Sequence, residues 1–554
     1  VLSLVSLGDP DGTSLLVPQV FMGLELSIDS TSRAFLLLSS ALWLVAGMFA
    51  IRYHKDDPRA DTFFGFFALT MTGNLGVVVS GDLLTFYLFF ALMTFAAYGL
   101  VVHRRDAEAL RAGRIYLVLA VLGEAMLIGG LVGLGTLTGQ ASSWGGEIEA
   151  AWRLAEGRGG SYAQVTALLL VVGLGVKAGI APLHVWLPLA HPVAPTAASA
   201  LLSGAIIEAG VLGWLRLLPA ETAVPSVGGT LLGAGAMAAL WGVVAGLPQR
   251  DPKTILAYSS VSQMGYAGMG AGLLLHGPAL SAEAIAAVAV FAVHHGLAKG
   301  ALFLAVGTVE RSGGVRGVRR ALLTAAILPA LALAGAPFTT GALAKEELKQ
   351  PFMALGGAWY TASEAFFFVA ALGTTLLMIR FLAVLASRAV DGAGKVVGAA
   401  PAGLLVPSLL LVAAVVTGPI WLLRIAPLAN TAARPAGSVN VPMAALPLSL
   451  GAAVYWAVLR APSLARAAKR VRVPAGDLLV AIDHLLGKIP RLDQEAWVSR
   501  SGHASMRTAA SFAARVRDLG VNLAAADIRL VRGAVMGAAL TIGTCALALA
   551  LLVR

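Results

Sequence analysis

Three lysines, Lys177, Lys299 and Lys345, stand in stretches otherwise built largely from Ala, Leu, Val, Gly and Phe, and so do Glu124, Glu208, His294, His295 and Glu346. His184 lies shortly after Lys177 in GVKAGIAPLHVWLPLAHP, residues 175–192. A charge at the centre of a hydrocarbon layer costs about 2.5–3.5 kcal/mol on insertion scales, so residues of this kind face the protein interior and mark ion paths. Burial disfavours a lysine's charge, whereas a neighbouring carboxylate favours it. An array of such groups linked by water passes a proton stepwise, because moving one charge changes the next group's affinity. His295 and Lys299 are four residues apart and share a helix face. The adjacent His294 and His295 have no carboxylate or cysteine at ligand spacing, which argues against a metal centre there.

Each residue also has a quieter reading. Glu208 is deep enough to need a partner, and Lys177 in the preceding span can supply one. Glu124 has no partner near it in sequence; it is either a neutral acid in helix packing or a group on the path. His184 either bonds broken backbone or joins the relay. His191, beyond WLP, belongs at a water interface. In DPKTILAYSSVSQMGY, residues 251–266, Asp251 and Pro252 suit a helix start. The hydroxyls and amide of that run either hold water or bond neighbouring helices.

The elements that must position these groups are membrane helices. Of 554 residues, 58% are hydrophobic and only 12% charged, and apolar stretches of about twenty residues recur, as in an all-α polytopic membrane protein. Expected spans cover 34–51, 61–80, 83–102, 114–139, 162–188, 195–219, 225–247, 254–275, 283–308, 319–350, 361–383, 402–424, 441–458 and 532–553, which makes about 14 transmembrane helices. The net charge of +11 resides in short basic clusters between spans, which is a topology signal and argues against nucleic acid. One cysteine, Cys545, rules out an internal disulfide or a cysteine-bound cluster. There is no nucleotide fingerprint, so no cofactor is expected.

Lys and Arg accumulate in alternate connections. They follow the first span (Arg52, Lys55, Arg59), the third (Arg104, Arg105, Arg111), the seventh (Arg250, Lys253), the ninth (Arg311, Arg316, Arg319, Arg320), the eleventh (Arg388, Lys395) and the thirteenth (Arg460, Arg466, Lys469, Arg470, Arg472). This parity puts the beginning of the chain outside and the basic connections in the cytoplasm of a bacterial inner membrane.

Two spans are interrupted: the fifth at Pro182 after Lys177, the tenth at GAPFTTG, residues 335–341, before Lys345. They lie five spans apart, so the units around them are related by inversion, the architecture of many secondary transporters. The expected organisation is an extracytoplasmic segment 1–33, an N-terminal bundle 34–219 with the first broken helix, and a second, inverted five-helix unit within 220–400. Additional spans 401–458, a segment 459–531 and a final helix 532–554 complete it. Residues 459–531 alternate apolar and charged positions at helical spacing and read as amphipathic helices on the cytoplasmic surface.

The runs VKAGIAPLHVWLPLAHPVAPTAASALLSG, DPKTILAYSSVSQMGY, HHGLAKGALFLAVG and ALAGAPFTTGALAKEEL together resemble the antiporter-like subunits shared by respiratory complex I, multisubunit sodium/proton antiporters and group 4 membrane-bound hydrogenases. The resemblance spans roughly residues 25–400, and the long C-terminal part is most similar to the large distal complex I subunit. It implies two further helices upstream of Val1, with VLSLVSLG ending the second. It also implies that Lys177 is the central lysine of the first broken-helix unit, Lys299 the lysine bridging to the second, and Lys345 the terminal lysine exchanging protons with the outside. His295 matches a histidine one turn before the bridging lysine. The chain departs from the family at FYLFFALM, residues 86–93, where Ala91 stands in the place of a glutamate that pairs with the central lysine. Glu208 is the expected replacement.

The function implied is a proton-translocating membrane subunit of a multisubunit complex, with Lys177, Lys299, Lys345, Glu208, Glu124, His295, Glu346 and His184 on the relay. It is a non-redox subunit; any oxidoreductase chemistry belongs to soluble partners. The alternatives are a membrane subunit of an inorganic-carbon uptake complex with a zinc-bearing partner, a stand-alone cation/proton antiporter moving sodium, and a scaffold that does not pump.

Overall fold

The computed structural model describes residues 13–18, 23–138, 146–311, 316–391, 402–425, 439–461, 473, 474 and 476. They fall within one compact unit, Val1–Leu478. The expected surface helices beyond Arg460 and the span at 532–553 lie outside the described residues, apart from those last few positions.

The described chain opens with an antiparallel hairpin, β1 (Thr13–Val17) and β2 (Leu24–Ile28), paired from Thr13 opposite Ile28 to Val17 opposite Leu24. These are the only strands among the described residues, and they qualify the all-α expectation at the end where no span was placed. Helices follow: α1 (Ser30–Tyr53), α2 (Ala60–Val79), α3 (Leu83–Val101), α4 (Ala107–Thr138), α5 (Gly146–Gly157), α6 (Gly160–Ala178), α7 (Trp186–Val193) and α8 (Thr196–Leu201). A π-helical turn, Leu202–Ile206, joins α8 to α9 (Ile207–Leu217). Then come α10 (Pro225–Gly246), α11 (Pro252–Leu274), α12 (Pro278–Arg311), α13 (Arg316–Ala334), α14 (Thr340–Ala354), α15 (Gly357–Asp391), α16 (Ala402–Ile425) and α17 (Val441–Arg460). Eleven of the described helices are long and apolar enough to cross a membrane. The protein is a multi-pass membrane protein, as hydropathy predicts.

The starts of the helices are written in the sequence. Asp29 caps α1, accepting from the Ser32 amide at 2.6 Å. Asp82 caps α3 through Thr85 at 2.8 Å. Asp251, followed by Pro252, caps α11 through Thr254 at 2.9 Å. Each cap satisfies an amide that the first helical turn leaves unpaired. Asp29 is also tied to Arg216, near the end of α9, at 3.1 Å. Arg216 is buried and donates to the Ser80 carbonyl at 2.7 Å and to Ser32. Burial would raise the Asp29 pKa, but the Arg216 charge and the Ser32 hydrogen bonds hold it below the ordinary carboxylate range.

Two helices form the interior. The described face of α12 is buried throughout its apolar window, and so is the α8–α9 span. Helices apolar around most of their circumference belong in such a core, and here Glu208, His294, His295 and Lys299 are buried with them. They approach closely where Gly204 meets Gly296: a Cβ on Gly204 would lie 2.8 Å from the Gly296 carbonyl oxygen. Small residues serve this purpose in lipid, where packing rather than hydrophobicity joins helices.

Both predicted interruptions are present. The first helix ends at Ala178, Gly179 takes a left-handed conformation at φ +71°, and helix resumes at Trp186. The second ends at Ala334, Gly335 sits at φ +86°, and helix resumes at Thr340, capped by Thr339. Glycine adopts this left-handed conformation at no steric cost, which is why both breaks begin with it. The Trp186 indole donates to the Val176 carbonyl at 2.8 Å and bridges the first break.

Candidate functional site: a buried line of ionisable side chains

The three lysines are inside the bundle: Lys177 is 5% exposed, Lys299 0% and Lys345 7%. Each owes its position to a different local feature.

Lys177 is in the last turn of α6, where the break opens space among helices. Its Nζ lies 5.2 Å from the centre of the Phe90 ring and 5.7 Å from that of Tyr116, distances at which an aromatic face attracts a cation. Tyr116 is held by its own hydroxyl, which donates to the Thr94 carbonyl at 2.7 Å. Glu124, one helix away on α4, completes the lining of a cavity of about 10 Å³ with Phe90, Tyr116, Trp186 and Lys177. That is about the room one water needs. Glu124 is also the carboxylate whose charge acts on Lys177. The expectation that Glu208 would partner Lys177 is therefore corrected. The acid opposite this lysine comes from α4.

Glu208 is bonded elsewhere. Its Oε1 lies 2.5 Å from His295 Nδ1 on α12, and both side chains are buried. The helix carrying Glu208 does touch the Lys177 helix, since a Cβ on Gly210 would lie 2.7 Å from the Ala178 nitrogen. Its glutamate nonetheless points to α12. The π turn before α9 supplies the reason: an extra residue in one turn rotates every later side chain about the helix axis. The freed Ala205 carbonyl in that turn accepts from Asn74 Nδ2 at 3.3 Å.

Lys299 lies one turn beyond His295 and donates to the Leu256 carbonyl on α11 at 2.8 Å. Nearby on α11, Ser260 is hydrogen-bonded to Ser203 at 2.7 Å. This supports the helix-to-helix reading of those hydroxyls at Ser260, while Gln263 is buried with both side-chain polar atoms unpartnered by protein. His191 is fully buried, not at an interface, and stacks on Phe303 of α12 with ring centres 4.6 Å apart. The resumed helix α7 runs back into the bundle, which carries His191 inward. Lys253, one of the basic residues between spans, is buried too and donates to the Ala194 carbonyl at 2.9 Å. His184 is buried in the first break, its ring 6.2 Å from that of Tyr258.

His294 points to the second break, its Nδ1 2.8 Å from Thr340 Oγ1. Lys345, two turns into the region after the break, reaches back and donates to the Leu333 carbonyl at 2.9 Å. Its Nζ is 5.5 Å from the centre of the Tyr266 ring, a second pairing of lysine with aromatic face. Beyond it opens a chamber of about 370 Å³ lined by Lys345, Glu346, Lys349, Tyr360, Glu364 and Asn440 among others. Glu346 is not bonded to Lys345; it lies 3.6 Å from Lys349, which is also 3.5 Å from Glu364 on α15.

The residues therefore form separate buried groups: Glu124 with Lys177; Glu208 with His295, and Lys299 one turn beyond; His294 and Lys345 at the second break; and the Glu346–Lys349–Glu364 cluster at the chamber. Sequence reasoning missed Tyr116, Thr340, Lys349 and Glu364. The spacing of Glu346 and Lys349, one helical turn, was a signal for part of this; the aromatic partners had none.

Residues 80–385 match the family model described as NADH:quinone oxidoreductase/Mrp antiporter, TM. The chain is 32% identical over 303 residues to "Hydrogenase-4 component B" of Escherichia coli, covering 53% of this chain and 44% of that protein. It is 30% identical over 367 residues to "Na(+)/H(+) antiporter subunit A1" of Staphylococcus aureus strain Newman, covering 63% and 44%. The chain thus spans less than half the length of these curated relatives. Among solved structures it is similar to a chain of the Mrp complex from a Dietzia species, with TM-score 0.73, 23% identity and coverage of 95% of this chain and 59% of that one. It also resembles a chain of the membrane-bound sulfane sulfur reductase, an archaeal respiratory membrane complex, with TM-score 0.64, 21% identity and 92% of each chain covered. At these identities the structural likenesses speak to the fold.

Proposed function

Because the chain belongs to the NADH:quinone oxidoreductase/Mrp antiporter transmembrane family, we propose that it is a proton-translocating membrane subunit of a multisubunit complex. The observation that carries this is the set of buried ionisable groups, Glu124 with Lys177, Glu208 with His295, and His294 and Lys345 at the second break beside a chamber. Ionisable groups at membrane depth are costly and are kept for ion movement, and here they recur as buried groups at both helix breaks and between α9 and α12.

In this reading Lys177 is the central lysine, Glu124 is its charge partner in place of the glutamate absent at Ala91, and Glu208 with His295 relays toward Lys299. Lys345 releases the proton into the chamber, where Glu346, Lys349 and Glu364 receive it. His184 stands at the first break on the same route. The two breaks, each opened by a left-handed glycine and each with a lysine against an aromatic face, favour two inverted units within 34–219 and 220–400. The helix α11, rich in hydroxyls, and the pair α13 and α14 add to the apolar helices and favour thirteen spans before Arg460 and fourteen in all. The parity of the basic connections favours an extracytoplasmic beginning, residues 459–531 on the cytoplasmic surface, and a bacterial cytoplasmic membrane. Partners are other membrane subunits of the complex, with soluble redox or zinc-bearing subunits according to which complex it serves.

The test is proton movement by the native complex in liposomes with a pH-sensitive dye inside. Lys299→Ala is expected to abolish movement with assembly intact. Unchanged movement would establish a scaffold instead. Movement that requires sodium would favour the cation/proton antiporter reading.

A further inference from the structure

We propose that His54, Asp57 and His103 form a binding site for a borderline first-row divalent cation of the Zn²⁺ class, where the α1–α2 and α3–α4 connections meet. It is independent of the proton line, and none of its residues takes part there.

The two imidazoles come from different connections and converge on one carboxylate oxygen. His54 Nδ1 and His103 Nε2 each lie 2.7 Å from Asp57 Oδ2, and one ligand atom from each of the three residues falls within 4.8 Å of the others. Tetrahedral zinc, with bonds of about 2.0–2.2 Å to nitrogen and oxygen, needs its ligands about 3.4 Å apart. Lengthening the two nitrogen-to-oxygen separations from 2.7 Å to that value takes a shift of the carboxylate of about 1 Å. Asp57 is the ligand free to make this shift, with 22% of its side chain exposed against 3% for His54 and 6% for His103.

The surroundings hold the ligands ready. The Arg59 amide donates to Asp57 Oδ1 at 2.9 Å, which aims Oδ2 at the histidines. The His54 ring stacks on Phe63 at 4.0 Å, and His103 meets the same ring edge-on at 5.3 Å. The chemistry of the set selects the ion: two imidazoles and one carboxylate suit zinc, cobalt or nickel, whereas magnesium and calcium require oxygen ligands throughout. The nearby Arg311, stacked on Tyr53 at 4.5 Å, repels cations held by charge alone. Coordination must therefore supply the affinity. The partly exposed Asp57 side leaves a fourth position for water. A bound ion would fasten the ends of α1 and α3 to each other.

The experiment is equilibrium dialysis of the full chain, purified with its copurifying subunits and without an affinity tag, against Zn²⁺, followed by metal analysis. In parallel, Co²⁺ is added and its visible absorption recorded. One saturable Zn²⁺ per chain is expected, with the intense visible bands of tetrahedral Co²⁺. Asp57→Asn and His103→Ala should each weaken binding about tenfold or more, and His276→Ala should leave it unchanged. His103→Cys should restore binding and add a sulfur-to-cobalt charge-transfer band, a result that a merely structural histidine would not produce. Absence of saturable binding, indifference to Asp57→Asn, or failure of His103→Cys to restore it would overturn the proposal.

Discussion

Glu208 and His295 share a buried hydrogen bond of 2.5 Å between α9 and α12, and this contact ties the two helices that form the interior of the bundle. Glu208→Gln keeps an acceptor for His295 but cannot exchange a proton. It is expected to slow proton movement about tenfold or more with little change in thermal midpoint. Glu208→Ala leaves buried His295 Nδ1 unsatisfied and should cost a further 1–3 kcal/mol or so of stability. Dye-based transport and a thermal melt of the same preparations separate the two effects.

Glu124 faces Lys177, and Ala91 is the neighbour of Phe90, whose ring contacts that lysine. Glu124→Gln is expected to reduce transport about tenfold or more. Adding Ala91→Glu to that variant puts an acid back on α3 and should recover part of the rate. A double-mutant cycle on transport rates measures this coupling; strictly additive effects would remove Glu124 from the partner role.

Replacing lysine by arginine at the relay positions preserves charge but not exchange, since a guanidinium does not release its proton. Lys345→Arg and Lys177→Arg should therefore be nearly as inactive as the alanine variants in the same liposome assay. Retention of more than about a third of the rate by Lys345→Arg would exclude it as a proton carrier.

A methyl group on Gly341 would overlap the carbonyl oxygen of Ala332 across the second break. Gly341→Ala should destabilise the protein by about 1–3 kcal/mol or more, seen as a lower thermal midpoint and poorer yield. Gly229→Ala, with nothing near its added Cβ, is the control expected to behave as the native chain does.

Asp29→Asn keeps a helix cap but loses the ion pair with buried Arg216. The expected cost is about 1–3 kcal/mol at neutral pH, toward the lower end because the half-exposed carboxylate is partly screened. The folded-state pKa of Asp29 is depressed, so its contribution is complete above the ordinary value near 3.8 and is lost as pH falls through the lower folded value. Melts of both proteins should differ at pH 7 and converge only in that acid range.

Hydropathy disclosed the membrane helices, and Pro182 and the GAPFTTG run disclosed both breaks, because those features depend on local chemistry. The partners of the buried acids were less accessible. Glu208 lies in the span that comes after Lys177, and proximity in the chain suggested the pair; rotation about the helix axis decided otherwise, and the π turn at Leu202–Ile206 has no sequence signature of its own. Glu124, left between packing and transport, acquires its partner only when α4 lies against α6. Position in sequence likewise failed His191 and Lys253, which adjoin connections yet are drawn inside by α7 and α11. The hairpin of β1 and β2 was hidden because strands so short and so near a span carry little periodicity.

The bond from Lys345 to Leu333 spans the second interruption and ends on a carbonyl of the opposite half-helix. An amine there meets the negative end of that half-helix. The lysine is thus also a clasp, holding the end of one rigid segment against the beginning of the next across a break that no backbone hydrogen-bond ladder spans.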